Sequence, residues 1–111
     1  MTPRIFTDDV PGLVGFLKIV FAASGELRSA APTEITIGDS IVMISDAAGA
    51  REMTRAFLYI YVENADETYE RAIAAGAESI ERPRDMPYGD RRATVRDSWL
   101  NTWQIATYRP R

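Results

Sequence analysis

The sequence predicts an α+β protein made of two βαβββ modules, forming a curved sheet around a cavity with the helices on its outer face. Three observations predict it. A strand, helix, strands pattern runs through the chain and restarts after a linker, residues 46–54, rich in Ala, Gly and charge. Each helical stretch carries apolar residues at helical spacing behind a capping residue. The strands that follow are short and punctuated by turn residues. With 111 residues and 46% hydrophobic composition the chain can bury one core, so modules at about 1–46 and 55–108 are read as halves of a single domain, 1–111.

The elements follow in order. Pro3 to Thr7 reads as a strand. Asp8-Asp9 offers an N-cap, and Pro11 suits the first turn of a helix. Val10, Leu13, Val14, Leu17, Val20 and Phe21 then recur at helical spacing. Phe16 and Ile19 make this helix apolar on more than one face, which asks for a further partner, and a second subunit fits. Strands are expected at about Gly25–Ser29, Glu34–Ile37 and Ser40–Ser45, with Gly38-Asp39 as a tight hairpin turn. In the second module Phe57–Val62 is a strand. Asn64 and Glu67 form an N-terminal capping pair, Ala65, Tyr69, Ala72 and Ile73 line one helical face, and Gly76 ends the helix. Strands near Glu78–Glu81, Arg92–Arg96 and Thr102–Thr107 complete the unit.

Composition narrows the function. Net charge is −3 and no basic stripe interleaves with aromatics, so nucleic acid is not an expected partner. No apolar run reaches the roughly 20 residues needed to span a bilayer, and Met1-Thr2-Pro3-Arg4 lacks a signal-peptide layout; a cytoplasmic location is the expectation. The chain has no cysteine and no histidine, which removes thiol chemistry and the commonest metal ligand. Of the 13 basic residues all but Lys18 are arginine. Codon bias explains that; Arg forks for a carboxylate or phosphate are the other reading.

Three runs carry a family resemblance. Thr2-Pro3-Arg4-Ile5-Phe6-Thr7-Asp8-Asp9 with Phe16-Leu17-Lys18-Ile19-Val20-Phe21 is the first. Ile37-Gly38-Asp39-Ser40-Ile41-Val42-Met43-Ile44-Ser45-Asp46 is the second. The third is Pro87-Tyr88-Gly89-Asp90-Arg91 followed by Val95-Arg96-Asp97-Ser98-Trp99-Leu100-Asn101-Thr102-Trp103. In this order, over essentially the whole chain, they resemble the vicinal oxygen chelate superfamily, and within it the small glyoxalase/bleomycin-resistance-type proteins. The resemblance implies the fold above, a homodimer, and one of several chemistries, because this scaffold hosts many. It also places metal ligands of the family's enzymes at Thr2, Met43, Phe57 and Gln104. His is usual at the first and third of these, Glu at the other two, and none remains here. A thioether, a phenyl ring and an amide do not suit a hard or borderline divalent ion, so no metal and no cofactor is expected. Ser98 and Leu100 replace the family's turn Pro and Gly, which implies a looser last turn.

Strand alternation names the lining of the cavity. Phe57, Tyr59 and Tyr61 share one strand face; Leu58, Ile60 and Val62 take the other. Arg4 and Phe6 join Thr2, Ile41 and Ser45 join Met43, and Thr102 and Ala106 join Gln104. Arg92, Thr94 and Arg96 face the cavity, with Ala93 and Val95 toward the helix. Candidate ligand-binding residues are therefore Arg4, Phe6, Met43, Phe57, Tyr59, Tyr61, Arg92, Trp99 and Gln104. The three rings also suit an interface core, Trp99 a dimer contact, and Arg91, Arg92 and Arg96 a solvated edge. Trp103 reads as core, Asp8-Asp9 as a cap, and Glu34 as an exposed strand residue or a base.

The expected function is a metal-free small-molecule-binding protein holding a flat aromatic or drug-like ligand, neutral or anionic given Arg4 and Arg92, as antibiotic-sequestering members of the family do. The alternatives are a metal-independent isomerase, lyase or cyclase using Tyr59, Tyr61 or Glu34, and a metal-dependent lyase or dioxygenase. A relic of the fold acting only in protein contacts is the third class.

Overall fold

A computed structural model describes residues 1–29, 31–47 and 53–109. It divides into two compact units, Met1–Arg55 and Ala56–Arg111. Much of the Ala- and Gly-rich linker expected at 46–54 lies outside the described residues.

The first unit contains β1 (Arg4–Thr7), α1 (Val10–Phe21), β2 (Thr33–Ile37) and β3 (Ser40–Asp46). Its sheet has the order β1-β3-β2, with β1 parallel and β2 antiparallel to β3. The helix begins as its sequence demands: the Asp9 carboxylate accepts from Gly12 N at 3.1 Å and Pro11 occupies the first turn. It ends at Ala22, which adopts a left-handed conformation with φ 54°. Leu13, Val14, Leu17 and Val20 are buried together with Ile5, Ile35 and Ile44 from the strands. Phe16 is buried too, so the apolar excess of α1 reduces to Ile19, which is 63% exposed.

The strand expected at Gly25–Ser29 does not form. Only Ser24 pairs, in an isolated bridge to Thr36 with backbone bonds of 2.9 and 2.8 Å. The next residue, Gly25, has φ +140°, and a Cβ there would stand 2.4 Å from the Glu34 carbonyl oxygen. The chain turns off the sheet edge at a position only glycine can occupy, so a ladder cannot continue. The first module is thus βαββ with one bridge where a third post-helical strand was expected.

The second unit has the full pattern: β4 (Phe57–Tyr61), α2 (Ala65–Ala74), β5 (Glu78–Asp85), β6 (Arg91–Arg96) and β7 (Thr102–Thr107). Strand order is β4-β7-β6-β5, with β4 and β7 parallel and the other pairs antiparallel. Asn64 caps α2 by accepting from Glu67 N at 3.2 Å. Strand β5 runs four residues past its expected end at Glu81, through two register irregularities. Its edge position tolerates Pro83, which has no N–H to offer a neighbour. The helix packs on β5, β6 and β7, over Ala93, Val95, Trp103 and Ile105, all essentially inaccessible. The two units together are the α+β arrangement of two modules.

The turn between β6 and β7 is tighter than the Ser98 and Leu100 substitutions suggested. Asp97 N donates to Asn101 O at 2.9 Å, closing the turn. The buried Asp97 carboxylate accepts from Trp99 N at 2.8 Å, Asn101 N at 2.9 Å, Asn101 Nδ2 at 3.1 Å and Trp103 Nε1 at 2.8 Å. These bonds hold Leu100 at φ 71°, where a family glycine would sit without strain. No helix among the described residues is long and apolar enough to cross a membrane.

Candidate functional site

The face of the second sheet that α2 leaves uncovered collects aromatic and paired charged residues in three rows. Residues opposite one another in register share a face. Phe57, Thr102, Arg96 and Glu78 form the first row. Tyr59, Gln104, Thr94 and Glu81 form the second. Tyr61, Ala106, Arg92 and Arg84 form the third. On β4 exposure alternates: Phe57 is 66%, Tyr59 39% and Tyr61 57% exposed, while Leu58 and Ile60 are partly buried on the other side. Tyr59 and Tyr61 meet edge to face at 5.3 Å, and Tyr61 meets Tyr108 the same way at 6.0 Å. Such contacts follow the ring quadrupoles and stiffen an exposed aromatic wall.

A polar network underlies the wall. The Tyr59 hydroxyl donates to Asp90 Oδ2 at 2.8 Å and lies 3.1 Å from the Tyr88 hydroxyl. Arg92 Nη1 donates to Tyr88 Oη at 3.3 Å, and Arg92 Nη2 to Glu81 Oε1 at 2.9 Å. Thr94 Oγ1 donates to the same Glu81 oxygen at 2.7 Å. The Arg92 Nε–H is buried and meets no acceptor among the described residues. Asp90 is 3% exposed. The turn that presents it is closed by Met86 N to Asp90 O at 2.7 Å and Gly89 N to Met86 O at 2.9 Å.

Electrostatics follow from these partners. Desolvation first, then the hydrogen bonds to Tyr88 and Asp90, push the Tyr59 phenol far above its ordinary range. Tyr61 is raised for the same kinds of reason: desolvation, then hydrogen bonding to Asp90 and its negative charge. Glu81 is held below the usual carboxylate range by the Thr94 hydrogen bond and then by Arg92. Both tyrosines are therefore neutral at ordinary pH, and Glu81 is ionised against Arg92.

Of the sequence-derived candidates, Tyr59, Tyr61, Arg92 and Gln104 come together on this face, with Phe57 in its outer row. Trp99 lies in the β6–β7 turn, at the end of β6 opposite the Tyr88–Asp90 turn, with its backbone N–H on Asp97. Arg4, Phe6 and Met43 belong to the first unit. There the Arg4 guanidinium lies 4.9 Å over the Phe6 ring, and its Nε donates to Ser45 Oγ at 2.9 Å. Met43 stands between Arg4 and Glu34 across the sheet. A cavity of about 530 Å³ opens in the same unit, lined by Arg4, Arg28, Thr33 and Ser45 among others. Sequence reasoning missed Glu81, Tyr88, Asp90 and Tyr108. The Pro87-Tyr88-Gly89-Asp90 run was visible as part of the family resemblance, but its fold-back onto Tyr59 was not.

At the positions where the resemblance places metal ligands, Thr2 offers only an exposed hydroxyl. Met43 offers a thioether between two charged neighbours, Gln104 an amide beside Tyr59, and Phe57 an exposed phenyl ring. Asp90 and Glu81 are engaged by Tyr59, Arg92 and Thr94. Among the described residues no three His, Cys, Asp or Glu side chains gather to hold an ion. These donors do not fit a resident divalent metal.

Two modules of strands and a helix, the second with an open aromatic face, are the features to set beside known proteins. The chain matches the Glyoxalase/Bleomycin resistance protein/Dioxygenase superfamily over residues 8–105, and it belongs to that superfamily. Among solved structures it is similar to TioX from Micromonospora sp. ML1, at 26% identity over 96% of each chain with a TM-score of 0.82. It is similar to a glyoxalase/bleomycin resistance protein/dioxygenase family enzyme from Burkholderia phytofirmans PsJN, at 24% identity over 96% of this chain and 95% of that one, TM-score 0.81. Lactoylglutathione lyase from Agrobacterium tumefaciens shares the fold at 16% identity, over 96% and 91% of the two chains, TM-score 0.75. Among curated proteins none matches the sequence.

Proposed function

We propose that the protein binds a flat aromatic small molecule without a metal, on the open face of its second sheet. The observation that carries this reading is the exposure of Phe57, Tyr59 and Tyr61 on one strand face above an ordered polar network. Large apolar rings kept in water, beside satisfied polar groups that fix orientation, are the ordinary makings of a ligand surface. Arg92 is neutralised by Glu81, which favours the neutral half of the neutral-or-anionic expectation. The raised phenols of Tyr59 and Tyr61 argue against their acting as bases near neutral pH, which weighs against a metal-independent isomerase that uses either as its base. The reading includes a homodimer, supported by the exposed Ile19 on α1. Sequestration of a drug or secondary metabolite is the role it suits.

The test is titration calorimetry with a panel of planar neutral aromatics, on the wild type and on Phe57→Ala. Micromolar binding of at least one compound, weakened roughly ten-fold by Phe57→Ala, supports the reading. No binding across the panel, or purified untagged protein carrying stoichiometric zinc, nickel, iron or manganese, overturns it. Light scattering that finds a monomer at micromolar concentration removes the dimer.

A further inference from the structure

We infer that the polar end of this site selects a ligand by a neutral aromatic hydroxyl, and that the Tyr88 side chain occupies that hydroxyl's place until the ligand displaces it. The inference rests on the binding reading above and names the chemical class that the same face takes.

The argument is one of hydrogen-bond direction. A phenol has one proton to give. Tyr59 gives its proton to Asp90 at 2.8 Å, so in its 3.1 Å contact with Tyr88 it can only accept. Tyr88 is therefore the donor there. The Tyr88 oxygen in turn accepts from Arg92 Nη1 at 3.3 Å. Direction runs one way, from Arg92 to Tyr88 to Tyr59 to Asp90. The group at the Tyr88 hydroxyl position must accept from a guanidinium and donate to a phenol oxygen at once. A neutral hydroxyl does both. A carboxylate or phenolate accepts from Arg92 but has nothing to give Tyr59, and it would bring negative charge toward Asp90. An ether or ketone fails in the same way as a donor. An ammonium has no lone pair for Arg92.

The members of this chain differ in how firmly they are held. Asp90 is almost fully buried and Arg92 is clamped to Glu81 at 2.9 Å. Tyr88 is half exposed, and its two bonds are the longest in the network, at 3.1 and 3.3 Å. It sits in the short Met86–Asp90 turn, next to Gly89 with φ +112°. Of the four residues, Tyr88 is the one whose withdrawal breaks two weak bonds and no buried ion pair. It leaves behind an acceptor on Tyr59 and a donor on Arg92 Nη1. The neighbouring wall of Tyr59, Tyr61 and Tyr108 supplies edges and faces for the ring that carries the incoming hydroxyl.

The experiment uses three probes of one ring system: 2-naphthol, 2-methoxynaphthalene and 2-naphthoate. Each is titrated calorimetrically into the full chain, into Tyr88→Ala and into Tyr59→Phe. The naphthol is expected to bind roughly ten-fold tighter than either analogue, one hydrogen-bonded position being worth about that much. Tyr88→Ala should tighten the naphthol several-fold by removing the internal competitor. Tyr59→Phe should cost the naphthol roughly ten-fold and leave the methoxy compound almost unchanged, which a general loss of structure would not do. Naphthoate binding as tightly as the naphthol, or Tyr88→Ala weakening it, overturns the inference. Three probes binding equally, with all three weakened by Phe57→Ala, overturns it while leaving the aromatic-binding reading intact. Binding of none overturns both.

Discussion

Tyr59 and Asp90 are joined by a 2.8 Å hydrogen bond in which the phenol donates and the carboxylate, 3% exposed, accepts. This contact ties an exposed ring on an edge strand to a turn 31 residues further on. It fixes the ring's tilt, and it keeps the phenol neutral, since ionisation would place two negative charges side by side in a desolvated spot. The face is thus stiff where it meets water, which lowers the ordering cost of binding a rigid ligand.

Alkaline stability should reflect this pair. The Tyr59 and Tyr61 phenols are raised in the native state. The unfolded chain releases those protons near pH 10 while the native one keeps them. Unfolding then releases protons, so their contribution is complete below about pH 10 and is lost as pH climbs above it. The resistance of the wild type to urea should fall steeply over that range. Tyr59→Phe should flatten the decline, and an identical slope in the variant would disprove the assignment.

Acid stability should depend on Glu81, whose carboxyl is lowered by the Thr94 hydrogen bond and then by Arg92. A depressed carboxylate contributes fully above its unfolded value, about 4.3, and loses that contribution as pH falls through the native value. Glu81→Gln should therefore be less stable than wild type at pH 7, and the difference should shrink toward pH 3. Denaturant midpoints at the two pH values test this; a gap that stays constant would show that packing, not charge, is at stake.

Asp97 should be among the most sensitive single positions of the second unit. Its buried carboxylate holds two backbone N–H groups, the Asn101 amide and the Trp103 indole. Asp97→Ala strands those donors and should cost about 3 kcal/mol, several times an exposed change. Asp97→Asn keeps part of the acceptor set and should cost less. Equilibrium unfolding monitored by Trp fluorescence gives both values.

Two backbone substitutions should move stability in opposite directions. Leu100 sits at φ 71°, so Leu100→Gly should stabilise by up to about 1 kcal/mol. Gly25 has no room for a Cβ beside the Glu34 carbonyl, so Gly25→Ala should destabilise by about 2 kcal/mol or more. Thermal midpoints that shift the same way in both variants would contradict the turn geometry described for each.

Much of this protein was legible in one dimension. The period of apolar residues from Leu13 to Val20, the caps at Asp9 and Asn64, and the alternation along Phe57–Tyr61 are local signals, each written within a few residues of the structure it dictates. They were enough for two modules, both helices, and the face on which the three rings lie. The sequence also determined which metal ligands the chain lacks, because donor chemistry belongs to the side chain and not to its surroundings. The tertiary structure decided the rest. Whether Gly25–Ser29 joined a sheet turned on the carbonyl of Glu34, which faces Gly25 only once β2 is in place. Whether Arg92 was a free cation turned on the register between β5 and β6, which irregularities shift until Glu81 reaches it. Whether Asp90 capped a turn or anchored an aromatic wall turned on the fold-back of residues 86–90 toward β4. Periodicity records which side a residue faces; the distance between two faces' functional atoms is set by long-range pairing, and no short window of sequence contains it.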